Sequence, residues 1–335
     1  MTTARWLRPL AWATLVGNIA IVVTGGAVRL TGSGLGCPTW PRCTPDSFVP
    51  HGELGIHGAI EFGNRMVTFV LAAIAVATWV AAMRARPRRR APRVLATVLV
   101  LGIPGQALIG GVTVLTDLNP WVVSLHLMLS MVMITLAVVF LHEVNADSAA
   151  PPGASTGRAA AAAVPAVVRR LAVAVMSAAF LVLYLGTVVT GAGPHAGHLE
   201  PTDLEGDRVH LVRNGLDPQV VSHVHAGAVY LLVALTVATL VAARRTDAPL
   251  AVRRVALTLL LVEAGQATVG FTQYFTDLPV LLVGVHLLGA ALMTTCAAWL
   301  LMSTRDSLAD ASTASPAPAA GGKSTEQAVS SGPGA

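Results

Sequence analysis

The chain has 335 residues, 54% of them hydrophobic and only 12% charged, with a formal net charge of +5. A mean hydropathy of +0.68 lies far above that of a soluble globular domain, which excludes an ordinary cytosolic enzyme and predicts an integral membrane protein. The basic balance does not point to nucleic acid, because the arginines flank apolar runs rather than forming a binding stripe.

Eight apolar runs are long enough to cross a bilayer of roughly 30 Å as helices of about 20 residues. They fall at residues 10–29, 58–83, 94–115, 121–141, 171–191, 221–243, 255–275 and 280–302. Each run is continuous rather than alternating, so the expected fold is an all-α integral membrane protein. The first run leads into further spans and is not read as a cleaved signal peptide.

Arginines set the orientation. Arg5 and Arg8 precede the first run, and Arg84, Arg86, Arg88, Arg89, Arg90 and Arg93 follow the second. Arg158, Arg169 and Arg170 stand between the fourth and fifth, and Arg244, Arg245, Arg253 and Arg254 between the sixth and seventh. These connections share one side, which the positive-inside rule makes cytoplasmic together with both termini. The longest opposite loop, residues 192–220, carries Glu200, Asp203, Glu205 and Asp207. A linker rich in Ala, Pro, Gly and Ser at 143–170 separates an N-terminal four-helix half (1–142) from a C-terminal one (171–303). The tail at 304–335 has similar composition and is expected to be disordered in the cytoplasm.

The halves resemble each other. GQALIGGVTVLTDLNPWVVSLH at 105–126 returns as GQATVGFTQYFTDLPVLLVGVH at 265–286, so Gln106 and His126 recur at Gln266 and His286 with an offset of 160. VATWVAAMR at 76–84 matches VATLVAARR at 237–245 with an offset of 161, and VVTGG at Val22 returns as VVTGA at Val188. Four helices per copy is an even number, so both copies run in the same direction and form two tandem four-helix bundles in a parallel repeat.

The offset of 161 pairs His225 with Asn64, so the second half carries a histidine on each of two helices, at matched depth. Two neutral imidazoles on facing helices suit a heme iron held from both sides, here without covalent attachment because no Cys-x-x-Cys-His is present. The bland alternative is an interhelical hydrogen bond from each histidine. His223 lies on another face and is read as an interface residue. His51, His57, His142, His195, His198 and His210 are read as solvated, in loops or at helix ends.

In the first half, His126 faces Asn64 and Glu61, which share one helical face. Either Glu61 pairs with Arg65 and anchors the helix, or it is an active-site carboxylate beside an iron with one protein ligand, open to reaction.

The chain resembles bacterial heme A synthase over about residues 10–302. The carriers are GGAVRLTGSGLGCPTWPRC, IEFGNR, the contexts of His126 and His286, and GTVVTGAGPHAG. The resemblance implies oxidation of the C8 methyl of heme O to a formyl group, giving heme A for cytochrome oxidase in the bacterial cytoplasmic membrane, with the heme sites toward the outer face. It implies that His225 and His286 ligate a heme b cofactor, that His126 ligates the substrate heme iron, and that Glu61 is catalytic. Arg29 and Arg65 are candidates for the heme propionates, with interface anchoring as the alternative. Heme O synthase is a candidate partner; the electron donor and any homo-oligomer are left open.

Two departures stand out. Many relatives have histidine at the place of Asn64, so Asn64 is expected to position a water or a hydrogen bond, with His57 as a substitute ligand. Some relatives also have a cysteine pair in the second outer loop, which this chain lacks. Cys37 and Cys43 in the first outer loop face an oxidising compartment and are expected to form a disulfide worth about 2 kcal/mol. Cys296 is read as a packing residue. The alternative function is a di-heme b-type cytochrome that passes electrons without modifying heme, for which Glu61 is unnecessary.

Overall fold

A computed structural model describes residues 4–86, 88–148, 164–194 and 213–305. The described residues form eight long helices: α1 (Ala4–Leu30), α2 (Gly55–Arg84), α3 (Arg90–Leu115), α4 (Pro120–Ser148), α5 (Ala166–Ala192), α6 (Pro218–Arg245), α7 (Leu250–Phe275) and α8 (Val280–Ser303). All eight are long and apolar enough to cross a membrane. α1, α3, α5 and α7 start four to six residues before the hydropathy runs, at arginine-bearing ends, and α4 continues seven residues past its run. Backbone hydrogen bonding continues the helix where apolar side chains stop, and arginine stems lie along the apolar surface. Arg158, the acidic residues Glu200, Asp203, Glu205 and Asp207, His195, His198, His210 and residues 306–335 lie outside the described residues.

Local chemistry sets the helix starts. Asp217 accepts from the Gln219 and Val220 amides at 2.8 and 3.0 Å, with Pro218 in the first turn of α6. Asn119 accepts from the Trp121 amide at 3.0 Å ahead of α4. The α3–α4 and α7–α8 turns each hold two residues at positive φ, Asp117 and Leu118 in one, Asp277 and Leu278 in the other. The recurring TDL sequence thus adopts the same left-handed pair twice, a conformation that L residues seldom take.

The helices pack as two rings. Contacts run α1–α2–α3–α4 and back to α1, and α5–α6–α7–α8 and back to α5. Among the described residues α2 does not touch α4 and α6 does not touch α8, so these pairs stand across their rings. The rings meet through α1 with α8, α4 with α5 and α4 with α8. Small residues allow close approach at the seams. Ala96 and Leu99 of α3 are buried, as are Ala256 and Leu259 of α7 at the repeat offset. Trp12 of α1 stacks on Trp299 of α8 at 6.2 Å, and Thr294 Oγ1 meets Met131 Sδ of α4 at 3.6 Å. Large apolar side chains such as Phe69, Leu101, Leu261 and Leu281 point outward from the rings, the pattern of a surface solvated by lipid.

Candidate functional site

The three recurring polar positions sit at one level. His126 lies six residues inside α4, His225 seven inside α6 and His286 six inside α8, roughly 10 Å from those helix ends at 1.5 Å per residue. His225 and His286 therefore occupy helices that stand across a ring, and their imidazoles are close enough to repel one another when charged. A planar ligand between such helices receives one nitrogen from each side.

Each ring lies against a glycine of the preceding helix. A Cβ on Gly110 of α3 would stand 3.4 Å from His126 Cε1, one on Gly186 of α5 would stand 3.2 Å from His225 Cε1, and one on Gly270 of α7 would stand 3.5 Å from His286 Cε1. These glycines were missed by sequence reasoning, although Gly110 and Gly270 recur at the offset of the histidines. Nδ1 of His126, His225 and His286 is buried without a hydrogen-bond partner among the described residues. The His225 ring also approaches the backbone of Val182 on α5. Three intramembrane imidazoles left so poorly partnered fit a metal-binding role.

The repeated glutamines hold the histidine-bearing helices. Gln266 Nε2 donates directly to the His286 carbonyl at 3.0 Å, passing over Gly289, where a side chain would overlap it. In the first half Leu129 stands at the corresponding place. Gln106 donates to Ser130 Oγ at 2.9 Å, and Ser130 donates to the His126 carbonyl at 2.9 Å.

Across the first ring from His126, α2 presents Glu61 and Asn64. Thr24 Oγ1 of α1 donates to Asn64 Oδ1 at 2.8 Å, which fixes the amide and leaves its N–H groups without an acceptor among the described residues. Glu61 is 5% exposed. Its Oε1 pairs with Arg65 Nη2 at 2.7 Å, and its Oε2 accepts from the Cys37 amide at 2.7 Å. Arg65 also donates to the carbonyls of Cys37, Thr39, Pro41 and Arg42 at 3.1–3.4 Å. The ion pair expected of a helix anchor is therefore present, and it clasps the loop that follows α1.

That loop covers the end of the first ring. Cys37 and Cys43 are joined by a disulfide and fully buried. Gly36 lies so close to the His57 carbonyl that any side chain there would collide with it, and the Trp40 ring rests on Gly111, next to the glycine beneath His126. His57, considered as a substitute ligand, is exposed in the first turn of α2, and its Nδ1 bonds Ser33 Oγ of the loop at 2.9 Å. Replacing Gly111 with valine should push Trp40 off α3 and cost about 1–3 kcal/mol, measured as thermal unfolding in detergent; wild-type melting would show that the loop is not seated there.

The remaining assignments are simpler. Arg29, in the last turn of α1, is at the α1–α8 seam, where Gly26 meets Leu287 and Leu30 meets Gly284. His223 packs against Tyr274 of α7 at 6.3 Å, as an interface residue should. His142 lies within α4 rather than in a loop, edge-on to Trp299 at 6.4 Å. Cys296 is a free thiol packed against the core.

A family described as cytochrome oxidase assembly protein (COX15-CtaA) matches this chain over residues 8–59 and 53–298. The chain is 33% identical over 138 residues to the heme A synthase of Lysinibacillus sphaericus, covering 41% of this chain and 44% of that protein. It is 31% identical over 138 residues to that of Halalkalibacterium halodurans, with 41% and 45% covered. Against the heme A synthase of Listeria welshimeri it is 28% identical over 145 residues, with 42% and 47% covered. The chain thus spans under half the length of the curated relatives it matches.

Proposed function

The chain belongs to the COX15-CtaA family of cytochrome oxidase assembly proteins, and from that premise we propose that it is a heme A synthase, oxidising the C8 methyl of heme O to a formyl group. The observation that carries the reading is the asymmetry between two similar rings. One places His225 and His286 on opposed helices; the other places His126 opposite Asn64 and Glu61.

We read the rings as a parallel duplication, with both termini in the cytoplasm of a bacterium and the heme sites toward the outer face of its membrane. In the second ring His225 and His286 would hold a heme b, bound without a covalent link; such a group supplies one-electron transfer. Gly186 and Gly270 leave the imidazole edges unobstructed, and Gln266 holds α8 in register by its bond to the His286 carbonyl.

The first ring would take heme O as substrate, with His126 as its single protein ligand. Thr24 holds the Asn64 oxygen, so Asn64 would position a water or a hydrogen bond through its N–H groups rather than ligate iron, since amide ligation is weak. Glu61 would stabilise positive charge developing at the methyl carbon or orient the attacking water. Its two held oxygens make that charge preorganised, as electrostatic catalysis requires. Arg65 holds Glu61 and the loop, and Arg29 and Arg65 would both be placed to meet the propionates.

A cytochrome that only passes electrons finds no support in the family match. Expressed in cells that make heme O but lack their own heme A synthase, the chain should yield heme A and its hydroxylated intermediate on solvent extraction. A folded protein that yields neither would refute the activity.

A further inference from the structure

Glu263 lies near the middle of α7 and is 2% exposed. Thr236 Oγ1 of α6 donates to its Oε1 at 2.8 Å, while Oε2 is buried without a partner among the described residues. Cys296 of α8 is near enough to feel its charge. A carboxyl at this depth is expensive, and an unpartnered oxygen makes it more so.

Packing does not require it. At the repeat offsets the first ring has Ile103 for Glu263, Ala75 for Thr236 and Leu136 for Cys296, so hydrocarbon closes the equivalent junction. The polar cluster exists only in the ring that we read as the cofactor holder. It also shares faces with the ligand histidines. Glu263, Gln266 and Gly270 follow i, i+3, i+7 spacing on α7, and the last two touch His286. On α6, Thr236 is eleven residues after His225, three turns along the same face. Counted along α7, Glu263 is roughly 10 Å from the level of Gly270, which lies against His286; counted along α6, its partner Thr236 is roughly 16 Å from His225.

We infer that Glu263 is the proton-accepting partner of the redox centre held by His225 and His286. This rests on the heme reading given above. One electron from a one-electron reductant in the membrane enters that centre as one proton from water joins Glu263 Oε2, and both leave on reoxidation, so net charge inside the ring is unchanged. A negative charge added roughly 10–16 Å away in a low-dielectric interior favours the protonated carboxyl. Few other groups can take this role. α7 packs against α6 and α8; from α6 the facing groups are Thr236 and, farther off, His225, and from α8 they are Cys296 and His286. Glu263 is the sole acid of the three helices, whose arginines cluster at their ends.

The test uses the full chain loaded with heme. Reduced-minus-oxidised infrared spectra should show a carboxyl C=O band that shifts in D2O, and the midpoint potential should fall with rising pH. Glu263→Gln keeps the bond to Thr236 and the low-spin visible spectrum, but should lose the band and flatten the pH dependence. A wild type without the band, or a variant that keeps both signals, would overturn the inference. If Glu263→Gln does not accumulate, Thr236→Val should move the band, because it removes the hydroxyl donor; an unmoved band counts against Glu263. Failure of the heme reading itself shows earlier and separately, as absence of a low-spin visible spectrum in the wild type.

Discussion

Replacing His286 with alanine should abolish the low-spin heme spectrum of the purified protein, while His126→Ala leaves that spectrum in place. The two residues are repeat mates, each six residues inside its helix and each resting on a glycine. Their expected difference comes from what stands across the ring. His225 stands on the helix across the ring from His286, so on the proposed reading each imidazole would be half of a two-sided grip, and losing one would leave the other buried without its counterpart. Disturbing even an outer partner of a metal ligand costs about 10–100-fold in affinity, so removing the ligand itself should weaken binding by at least about 100-fold. His126 has only an amide and a carboxylate opposite, and its loss should fall on substrate turnover. The check is visible spectroscopy with heme extraction on both variants. A normal spectrum in His286→Ala would end the assignment of α6 and α8 as the cofactor grip.

Substitution of Glu61 should have the second large effect, and the choice of replacement separates its two roles. Glu61→Ala leaves Arg65 partly buried without its acid and the Cys37 amide without an acceptor, a loss of about 3–5 kcal/mol for a broken buried pair. The loop carrying Trp40 should then loosen, and thermal stability should fall. Glu61→Gln keeps an acceptor for the Cys37 amide and most of the clasp, so folding should survive. If the carboxylate is needed for charge developing on the substrate, heme A formation by the glutamine variant still drops by about 100-fold or more. A folded glutamine variant making heme A at the wild-type rate would assign Glu61 to the loop alone.

Much of the architecture was legible in the residues. Eight apolar runs gave eight helices because in lipid the backbone must satisfy itself, and only the helix ends moved, where backbone hydrogen bonding carries the helix past the apolar stretch. The similar segments at 105–126 and 265–286 singled out His126 and His286, each six residues inside its helix. The bond between Thr24 and Asn64 was not legible, since nothing in either local pattern links residues 40 positions apart on separate helices. Glu263 belongs to no sequence motif and stands out only because its Oε2 is buried without a partner among the described residues.

Sequence by itself therefore determined the all-helical, membrane-spanning character of the chain, the number of long apolar helices and the residue types available along each of them. These follow from hydropathy and periodicity, which act locally along the chain. Tertiary structure alone decided which helices stand across a ring from one another, that Glu61 and Arg65 clasp the disulfide loop, and that glycines lie under the imidazoles. Such facts depend on side chains from helices far apart in sequence meeting in three dimensions. Helix packing in lipid is governed by shape and by a few buried polar contacts, and neither leaves a periodic trace in the chain.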